Sequence, residues 1–432
     1  MKRISILACI LGLCFVSTAW AQQVVMPHTG KPVARHRALK ATPNFTRAQN
    51  LQSRIAQTNA AHHGKVWDLG TYNNGDWVWP SGINDFGNVV GFGDDGNGNQ
   101  HPLAVPLFGP HAGQWFDLLT LGGEVTYFDE PVNQIADTGL VVGYSAKSDG
   151  YAHGFAWTEK SEMADLGTLA DIGYTAYNSS YATDVNKLGT VIVGWSGIET
   201  SCIFLCAPLP PNGYTLPVVW TPKMEWKPEG MSRTWKIQKL STKRYEDFTY
   251  WAAYKLNDVG QITGFVSNND YSVTVAILWN PRSDGKGWKD PMPLPVPDSM
   301  FYTPFAINDR GEIAGAVSTP AGIWLPRLWK PLNRARTKYS QPIVLATPEG
   351  FSNGWVSGIN NLGDMVGELW GDAGDQAFRW KTQDPTFVEV IGFPGDGSSA
   401  ASVSDTRIAV GMYYLCPDGT CGDYRGAAVQ LY

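Results

Sequence analysis

One short pattern recurs along the chain and places an acidic side chain at the same position of most of its copies. The pattern Asn-Asp-x-Gly is first met in GINDFGNVVG at residues 82–91. The position of its acid is occupied in successive copies by Asp85, Asp137, Lys187, Asp258, Asp309, Asn361 and Asp405. Such a set of carboxylates could bind a metal ion or act as acid and base. Asp and Asn also start tight turns by bonding to their own backbone, so the pattern favours a structural role.

A second candidate for chemistry is the loop DDGNGNQ at residues 94–100. Asp95, Asn97 and Asn99 have the alternating spacing of a calcium-binding loop. Gln100 stands where such a loop needs glycine, and Pro106 stands where it needs its final Glu. These departures favour a hairpin loop and leave calcium as the alternative.

Aromatic side chains precede the core aliphatic residue of most copies. They are Trp77, Trp79, Tyr127, Tyr177, Tyr250, Trp251, Phe301 and Trp355. Carboxylates lie beside several of them, and aromatic faces next to acids suit sugars or cationic side chains. Alternatively, the rings wedge between repeats as core. The even spacing from Trp77 and Trp79 to Ile83 favours that burial.

Support for enzymatic chemistry is limited. His101, His111 and His153 are the only histidines after residue 63, and neither a G-x-S-x-G nor a P-loop motif occurs. Two carboxylates from distant repeats could still form a glycoside hydrolase or lyase. We therefore predict a binding module without cofactor, whose partner is a glycan or a protein. The paired-carboxylate enzyme and a structural envelope or matrix protein are the alternatives.

The elements that must position these residues follow from the repeat itself. Its copies end at Gly91, Gly143, Gly194, Gly264, Gly315, Gly367 and Gly411, so the spacings are 52, 51, 70, 51, 52 and 44 residues. A period near fifty indicates stacked units of one type. Apolar residues, the turn and a β-branched run predict a hairpin, with positive φ at Gly87. The final glycine predicts close approach of another backbone.

Each unit continues with a third and a fourth apolar strand, and their count predicts a closed ring. Seven first, second and third strands are present, but only six fourth strands follow them. The missing one, VWDLGT, stands at residues 66–71, ahead of the first copy. A strand donated from the other end closes a circular β-propeller. We therefore predict an all-β, seven-bladed β-propeller over residues 64–432. A β-helix or another blade number is the alternative.

The motifs resemble those of the HAF-repeat family of extracellular bacterial proteins. The segments are GINDFGNVVG at 82–91, ADLGTL at 164–169, and HGFAW at 153–157 or QAFRW at 376–380. The resemblance extends from residue 65 to residue 432. It weakens where Arg407 replaces the turn glycine and where Lys187 replaces the acid. It implies an exported repeat domain and supplies no catalytic residues.

Ahead of the repeats, two segments of different character are predicted. Lys2, Arg3, an apolar run and Ala19-Trp20-Ala21 indicate a signal peptide at 1–21. Residues 22–63 carry six Lys or Arg and no Asp or Glu, and their lack of apolar periodicity predicts a mostly disordered arm. We expect a secreted or periplasmic monomer without a membrane span.

Net charge differs sharply between the arm and the repeats. The chain carries −6, removal of Lys2 and Arg3 leaves −8, and subtraction of the arm's +6 leaves −14 on residues 64–432. The acidic repeats argue against nucleic acid as partner. The arm could fold back onto them, bind an anionic surface or serve as a solvated spacer.

Four cysteines follow the signal peptide, and their close spacing predicts the disulfides Cys202–Cys206 and Cys416–Cys421. Zinc is the alternative. The 70-residue spacing indicates an insertion at about 197–234. We expect this insertion, both cysteine pairs, the loop at 94–100 and the aromatic side chains before the core residues to lie on the propeller face opposite the Asn-Asp-x-Gly turns. Variable loops on a repeated scaffold are where function is expected.

Overall fold

The computed structural model describes residues 64–123, 132–198, 213–227, 230–269, 273–296, 301–319, 321–416 and 421–432. The predicted signal peptide, the basic arm, Tyr127, Cys202 and Cys206 lie outside these ranges. The described residues form seven four-stranded antiparallel sheets arranged as a seven-bladed β-propeller, as predicted.

The strands follow the chain in order, four to a blade. Blades 1 to 3 comprise β2 (Val78–Ile83), β3 (Asn88–Asp94), β4 (Gln100–Pro106) and β5 (Phe116–Asp117); β6 (Val132–Ile135), β7 (Val141–Ala146), β8 (Ala152–Thr158) and β9 (Glu162–Asp165); and β10 (Ser179–Val185), β11 (Ile192–Gly197), β12 (Thr215–Lys227) and β13 (Gly230–Lys239).

The remaining blades repeat the arrangement. Blades 4 to 7 comprise β14 (Tyr250–Leu256), β15 (Ile262–Ser267), β16 (Thr274–Trp279) and β17 (Met292–Pro293); β18 (Phe301–Ile307), β19 (Ile313–Ser318), β20 (Trp324–Trp329) and β21 (Ile343–Val344); β22 (Asn353–Ile359), β23 (Asp364–Gly371), β24 (Gly374–Lys381) and β25 (Asp384–Val390); and β26 (Gly397–Val403), β27 (Ile408–Leu415), β28 (Gly422–Gln430) and β1 (Val66–Gly70).

The ring closes through β1, which is the outermost strand of blade 7. It pairs antiparallel with β28, and Val66 lies opposite Val429. Leu69 is buried in a cluster that includes Ile83 of blade 1 and Val410 of blade 7. The first strand of the propeller therefore completes its last blade, as the strand count predicted, and it seals the junction with blade 1.

The repeated glycines have the two predicted roles. The turn glycine has positive φ in six copies, with +77° at Gly87, and Arg407 adopts the same left-handed conformation with φ of 61°. A Cβ atom on Gly91 would overlap the Trp79 carbonyl oxygen, and the same overlap is found at Gly194, Gly264, Gly315, Gly367 and Gly411. Each of these glycines faces a β-bulge in the first strand of its blade.

Antiparallel order gives the propeller two distinct ends. The first-to-second and third-to-fourth strand connections lie at one end, which we call the turn face. Its seven repeated turns are residues 84–87, 136–139, 186–189, 257–260, 308–311, 360–363 and 404–407. The second-to-third strand connections and the links between blades lie at the other end, the loop face.

The described half of the predicted insertion lies on the turn face. Its first part, residues 199–212, lies outside the described residues. Its second part lengthens the hairpin of β12 and β13, which continues from the Trp220–Ile237 pair to the Lys227–Gly230 pair. Because β12 runs toward the turn face, its last seven residues project about 23 Å beyond that face. The expectation that the whole insertion gathers on the loop face is therefore wrong for this half.

Loss of Leu69 should weaken the closure. Leu69→Ala should lower the free energy of unfolding by about 2–5 kcal/mol, because it leaves a cavity between blades 7 and 1. Val66→Ala, in the exposed start of the same strand, should change it by less than about 0.5 kcal/mol. Deletion of residues 66–71 should abolish the cooperative transition. Urea titration followed by tryptophan fluorescence tests all three, and a normal transition in the deletion variant would disprove closure by β1.

Candidate functional site

The acids of the repeated turns join each blade to the next. The backbone N–H of Asp85 donates to Asp137 Oδ1 at 2.9 Å, and that of Asp258 donates to Asp309 Oδ1 at 2.8 Å. Equivalent bonds run from Lys187 to Asp258, from Asp309 to Asn361, from Asn361 to Asp405 and from Asp405 to Asp85. With a final bond from the Asp137 N–H to the Lys187 carbonyl at 3.0 Å, the seven turns form a closed circle. We call it the turn ring.

The two copies without an acid, at Lys187 and Asn361, use other acceptor oxygens to complete the ring. Asn361 accepts through its side-chain oxygen, and its Nδ2 donates to Asp309 at 2.8 Å and to Asp405 at 2.9 Å. Lys187 has no side-chain acceptor, so its backbone carbonyl serves instead. Its Nζ forms ion pairs with Asp85, at 2.6 Å, and with Asp405.

In the five copies that have one, the asparagine before the acid position, rather than the acid itself, shapes the local turn. Asn84 Oδ1 accepts from the backbone N–H groups of Phe86 at 3.1 Å and Asn88 at 2.9 Å. Its Nδ2 donates to the Ala136 carbonyl of blade 2 at 3.1 Å. The predicted structural role of the acid is thus correct in kind, but the acid connects blades instead of stabilising its own turn.

The turn ring surrounds an axial cavity of about 130 Å³ that is lined by residues from all seven blades. Deeper in it, Lys255 Nζ lies 3.8 Å from Asp184 Oδ1. At the acid position of the seven turns, five carboxylates face one cation, Lys187. Arg310 and Arg407 belong to the same turns but form ion pairs with Glu312 and Asp364. The mouth of the cavity therefore carries an excess of negative charge.

The charge of the ring is unevenly compensated. Burial raises the pKa of Asp137, and the nearby carboxylates of Asp85 and Asp405 raise it further. Burial likewise raises the pKa of Asp258, and the nearby carboxylate of Asp309 raises it further. Burial opposes ionisation of Asp405 too, but bonds from Lys187 and Asn361 lower its pKa overall. Asp137 and Asp258, which form no ion pair with Lys187, are the ring acids that a bound cation would stabilise most.

Exposed apolar side chains surround this acidic mouth. Phe86 and Leu188 occupy the variable position of their turns and are each 67% exposed, and Val259 and Leu362 are exposed at the same position. The projecting hairpin adds Met224 and Trp226.

The hairpin is anchored to its own blade beside the ring. The Arg233 guanidinium donates to the carbonyl of Gly189, the turn glycine of blade 3, and lies 4.5 Å from the centre of the Trp235 ring. Trp226, by contrast, is 80% exposed. The turn face therefore combines an acidic centre, an apolar rim and an anchored hairpin with an exposed indole.

The predicted aromatic site on the loop face is mostly interior. The buried members of the predicted set are Trp79, Tyr177, Tyr250, Trp251 and Trp355. Trp77 is half-buried, Tyr127 lies outside the described residues, and only the backbone of Phe301, at the start of β18, is described.

The buried rings have packing roles. Trp79 and Trp355 share one cluster with Tyr254 and Phe305, and because these residues come from four different blades, the cluster must lie at the axis. Tyr177 donates its hydroxyl to the Gly213 carbonyl at 2.6 Å. Burial of these side chains favours the core interpretation over an exposed platform.

Glu368 is the polar exception in this apolar region. It is 6% exposed, lies opposite Trp355 across β22 and β23, and its Oε2 has no hydrogen-bond partner among the described residues. Trp355 Nε1 is likewise without one. Burial raises the pKa of Glu368 to about 8, with a further contribution from Asp375. Asp375 in turn accepts from the Tyr414 hydroxyl at 3.0 Å.

Glu368 was missed at the sequence level, although the repeat contains a signal. It follows the strand glycine of its copy directly. The other copies have Phe92, Tyr144, Trp195, Phe265, Ala316 and Met412 at that position. Comparison of the copies position by position would have identified the single acid among apolar residues.

The calcium candidate is a hydrogen-bonded loop. Asp95 accepts from the N–H of Asn97 at 2.8 Å and from Asn99 Nδ2 at 2.9 Å. Burial opposes ionisation, but these bonds lower the pKa of Asp95. Within the described ranges, no group of three or more His, Cys, Asp or Glu side chains is arranged to hold a metal ion.

The His and Asp of the family-like motifs pair within blades. His153 Nδ1 lies 2.9 Å from Asp165 Oδ1, and His101 Nδ1 lies 2.7 Å from Asp117 Oδ2. Burial opposes ionisation of Asp165, yet its bonds with His153 and the Gly167 N–H lower its pKa to about 2. These pairs join the third and fourth strands, which supports the predicted structural role of His153.

The Cys416–Cys421 disulfide is present, as predicted, and it clips the loop between β27 and β28 on the loop face. The Cys202–Cys206 pair stays a prediction. Of the helices in the described part of the chain, none has the length and apolar character needed to cross a membrane.

Comparison with known proteins gives only distant structural similarity. No protein-family model and no curated protein matches the chain. Among solved structures, it is similar to an acylaminoacyl peptidase from Pyrococcus horikoshii, with a TM-score of 0.44, 10% identity, and coverage of 80% of this chain and 50% of that chain. A Trypanosoma rangeli sialidase in complex with sialic acid has a TM-score of 0.39 and 11% identity, with coverage of 76% of this chain and 56% of that chain. A post-proline cleaving enzyme from Rickettsia typhi has a TM-score of 0.45 and 11% identity, with coverage of 86% of this chain and 55% of that chain. The chain thus spans about half the length of these proteins.

Substitution of one ring acid should separate its acceptor role from its charge. Asp258→Ala removes the acceptor of the Lys187 N–H and should lower the free energy of unfolding by about 1 kcal/mol. Asp258→Asn keeps an acceptor oxygen, as Asn361 does naturally, and should leave stability unchanged or slightly higher. Urea titration of both variants tests this. Equal destabilisation by Asn and Ala would show that the charge, and not the bond between blades, matters.

Glu368 should make stability depend on pH. Its folded pKa of about 8 lies above its ordinary 4.5, so the folded state binds more protons between these values. The contribution of Glu368 to the free energy of unfolding is complete below pH 4.5. It is lost as the pH rises from there toward 8, by about 1.4 kcal/mol per pH unit. Glu368→Gln should remove this slope and stabilise the protein at pH 8. Glu349→Gln, at an exposed position, is the control. Parallel pH–stability curves for wild type and Glu368→Gln would contradict the assignment.

Proposed function

We propose that this chain is an exported, non-catalytic binding module whose turn face engages a basic segment of a partner protein. The observation that carries the proposal is the acidic mouth of the axial cavity surrounded by exposed apolar side chains. The resemblance to HAF-repeat proteins and the predicted signal peptide support export to the periplasm or the medium.

Charge supplies the first part of the recognition. A Lys or Arg side chain at the mouth would meet Asp137 and Asp258, whose carboxylates are disfavoured by burial and by neighbouring acids. A partner cation would relieve that repulsion. Negative charge concentrated at a cavity mouth also attracts basic partners over a distance and makes their association salt-dependent.

The apolar rim supplies the second part. Phe86 and Leu188 surround the mouth at exposed positions, and Trp226 extends from the anchored hairpin. Exposed apolar groups next to polar ones are typical of protein interfaces, where tryptophan often contributes a large share of the binding energy. A segment that alternates basic and apolar side chains would match both parts of the surface.

This proposal keeps the binding function predicted from the sequence and moves its surface. The loop face was favoured for its aromatic side chains, but those that are described are largely buried. A glycan platform needs accessible ring faces, so the structure supports a protein partner better than a glycan.

A second candidate, a paired-carboxylate hydrolase, is favoured by one observation. Glu368 has the raised pKa of a general acid, and Asp375 lies near enough to contribute to it. Glu368 is, however, only 6% exposed, which leaves little access for a polymeric substrate. Failure of the mature protein to hydrolyse a panel of polysaccharides would remove this candidate.

Binding to the turn face can be tested with a defined probe. A fluorescein-labelled peptide of four Arg-Leu repeats should bind the mature protein, and a Glu-Leu peptide should not. The double variant Asp137→Asn, Asp258→Asn should weaken binding at least tenfold, because it removes two charges while keeping acceptor oxygens. Trp226→Ala should weaken it further. Fluorescence anisotropy at increasing salt gives the affinities.

The matched control removes the same charge from the other face. Asp149 and Asp372 lie in loop-face connections of blades 2 and 6. Asp149→Asn, Asp372→Asn should bind the Arg-Leu peptide as wild type does. Equal affinity of the two double variants would refute the turn-face site.

A further inference from the structure

We infer that the turn face has a resident occupant, the basic segment at residues 22–63 of the same chain, which a partner must displace. The inference rests on the proposed function, since it assigns a competitor to the same surface. Four features support it: where the segment joins the propeller, its charge, its apolar side chains, and its reach.

The basic segment enters the propeller at the turn face. The Gly64 N–H donates to the Gln430 carbonyl at 3.1 Å, at the turn-face ends of β1 and β28. Gln430 Nε2 in turn donates to the carbonyls of Thr406 and Arg407, each at 3.0 Å. These two residues belong to the same turn as the ring acid Asp405. Gly64, where the described chain begins, therefore lies on the same face as the ring, at the outer edge of blade 7.

The charges of the segment and the surface are opposite. The segment carries Lys31, Arg35, Arg37, Lys40, Arg47 and Arg54 and has no Asp or Glu. At the acid position of its turns, the ring carries five carboxylates against Lys187, and residues 64–432 together carry −14, as counted above. Three ring acids, Asp137, Asp258 and Asp309, have no ion pair with that lysine. The cations that they lack are present on the tethered segment.

The segment also has the apolar side chains that the rim would accept. Leu39, Phe45 and Leu51 are interspersed among its basic residues. The rim offers Phe86, Leu188 and other exposed side chains around the mouth. Alternation of basic and apolar residues is the same chemistry that we propose for the partner.

Reach and tethering make an intramolecular contact effective. The segment comprises 42 residues, from 22 to 63. It could span about 140 Å if extended, which exceeds any distance across one face. A covalent tether of this length gives an effective concentration that approaches the millimolar range. Contacts too weak to hold a free peptide would therefore still occupy the turn face, and a partner would bind only by displacing the segment.

The test uses the full mature chain and a variant in which the six basic residues of the segment are replaced by Gln. Neutralisation of the segment should strengthen binding of the Arg-Leu peptide about tenfold. In wild type, a zero-length amine-to-carboxyl cross-linker should join Lys31 or Lys40 to turn-face acids. These cross-links should disappear in Asp137→Asn, Asp258→Asn and persist in Asp149→Asn, Asp372→Asn. Mixing isotopically light and heavy chains distinguishes links within a chain from links between chains.

The outcomes separate this inference from the proposed function. Unchanged peptide affinity after neutralisation, with binding still lost in the turn-face variant, would overturn the resident segment and leave the proposed function in place. Cross-links to the turn face without any peptide binding in the neutralised variant would support the resident segment and refute the partner. Cross-links mainly to the loop face, or mainly between light and heavy chains, would overturn the inference.

Discussion

The hydrogen bond from the backbone of one turn to the acid of the next blade is the interaction on which the architecture depends. It acts at the axis, where seven blades must meet with correct spacing, and each copy determines the position of its neighbour. A circle of such bonds can close only when every member has an acceptor in place. Asp and Asn side chains provide one, and the carbonyl of Lys187 provides it in the copy that has neither.

Closure at the axis and closure at the perimeter solve different problems. The turn ring connects the inner ends of the blades, whereas β1 fills the outermost position of blade 7. Without β1, the edge of β28 would be left unpaired and open to association with other chains. The ring concentrates carboxylates, however, and Lys187 offsets only part of their repulsion through Asp85 and Asp405. The geometry that holds the blades together thus leaves uncompensated negative charge at the centre of the turn face.

The sequence allowed prediction of those features that depend on local chemistry repeated at a fixed period. Hairpins, the left-handed glycines, the blade count and the displaced strand follow from turn residues and strand counting. The link from Asp85 to the next blade could not be predicted, because local turn rules explain an acid there equally well. The spacing of 70 residues shows that blade 3 is longer but not which of its connections is lengthened. The face from which the β12–β13 hairpin projects could therefore not be predicted. Burial of Trp79 and Trp355 depends on convergence at the axis, and Glu368 required comparison between copies.

Because the acids that hold the blades also form the proposed binding surface, this proposal requires binding and stability to be coupled. A cation that binds only the folded ring shifts the folding equilibrium toward the native state. The effect should be largest at Asp137 and Asp258, whose ionised forms are disfavoured by burial and by nearby carboxylates. Any basic segment that occupies the mouth, whether from a partner or from the chain itself, would therefore tighten the ring that positions it. In this proposal, the unneutralised charge of the turn face is what gives the scaffold its affinity for basic segments.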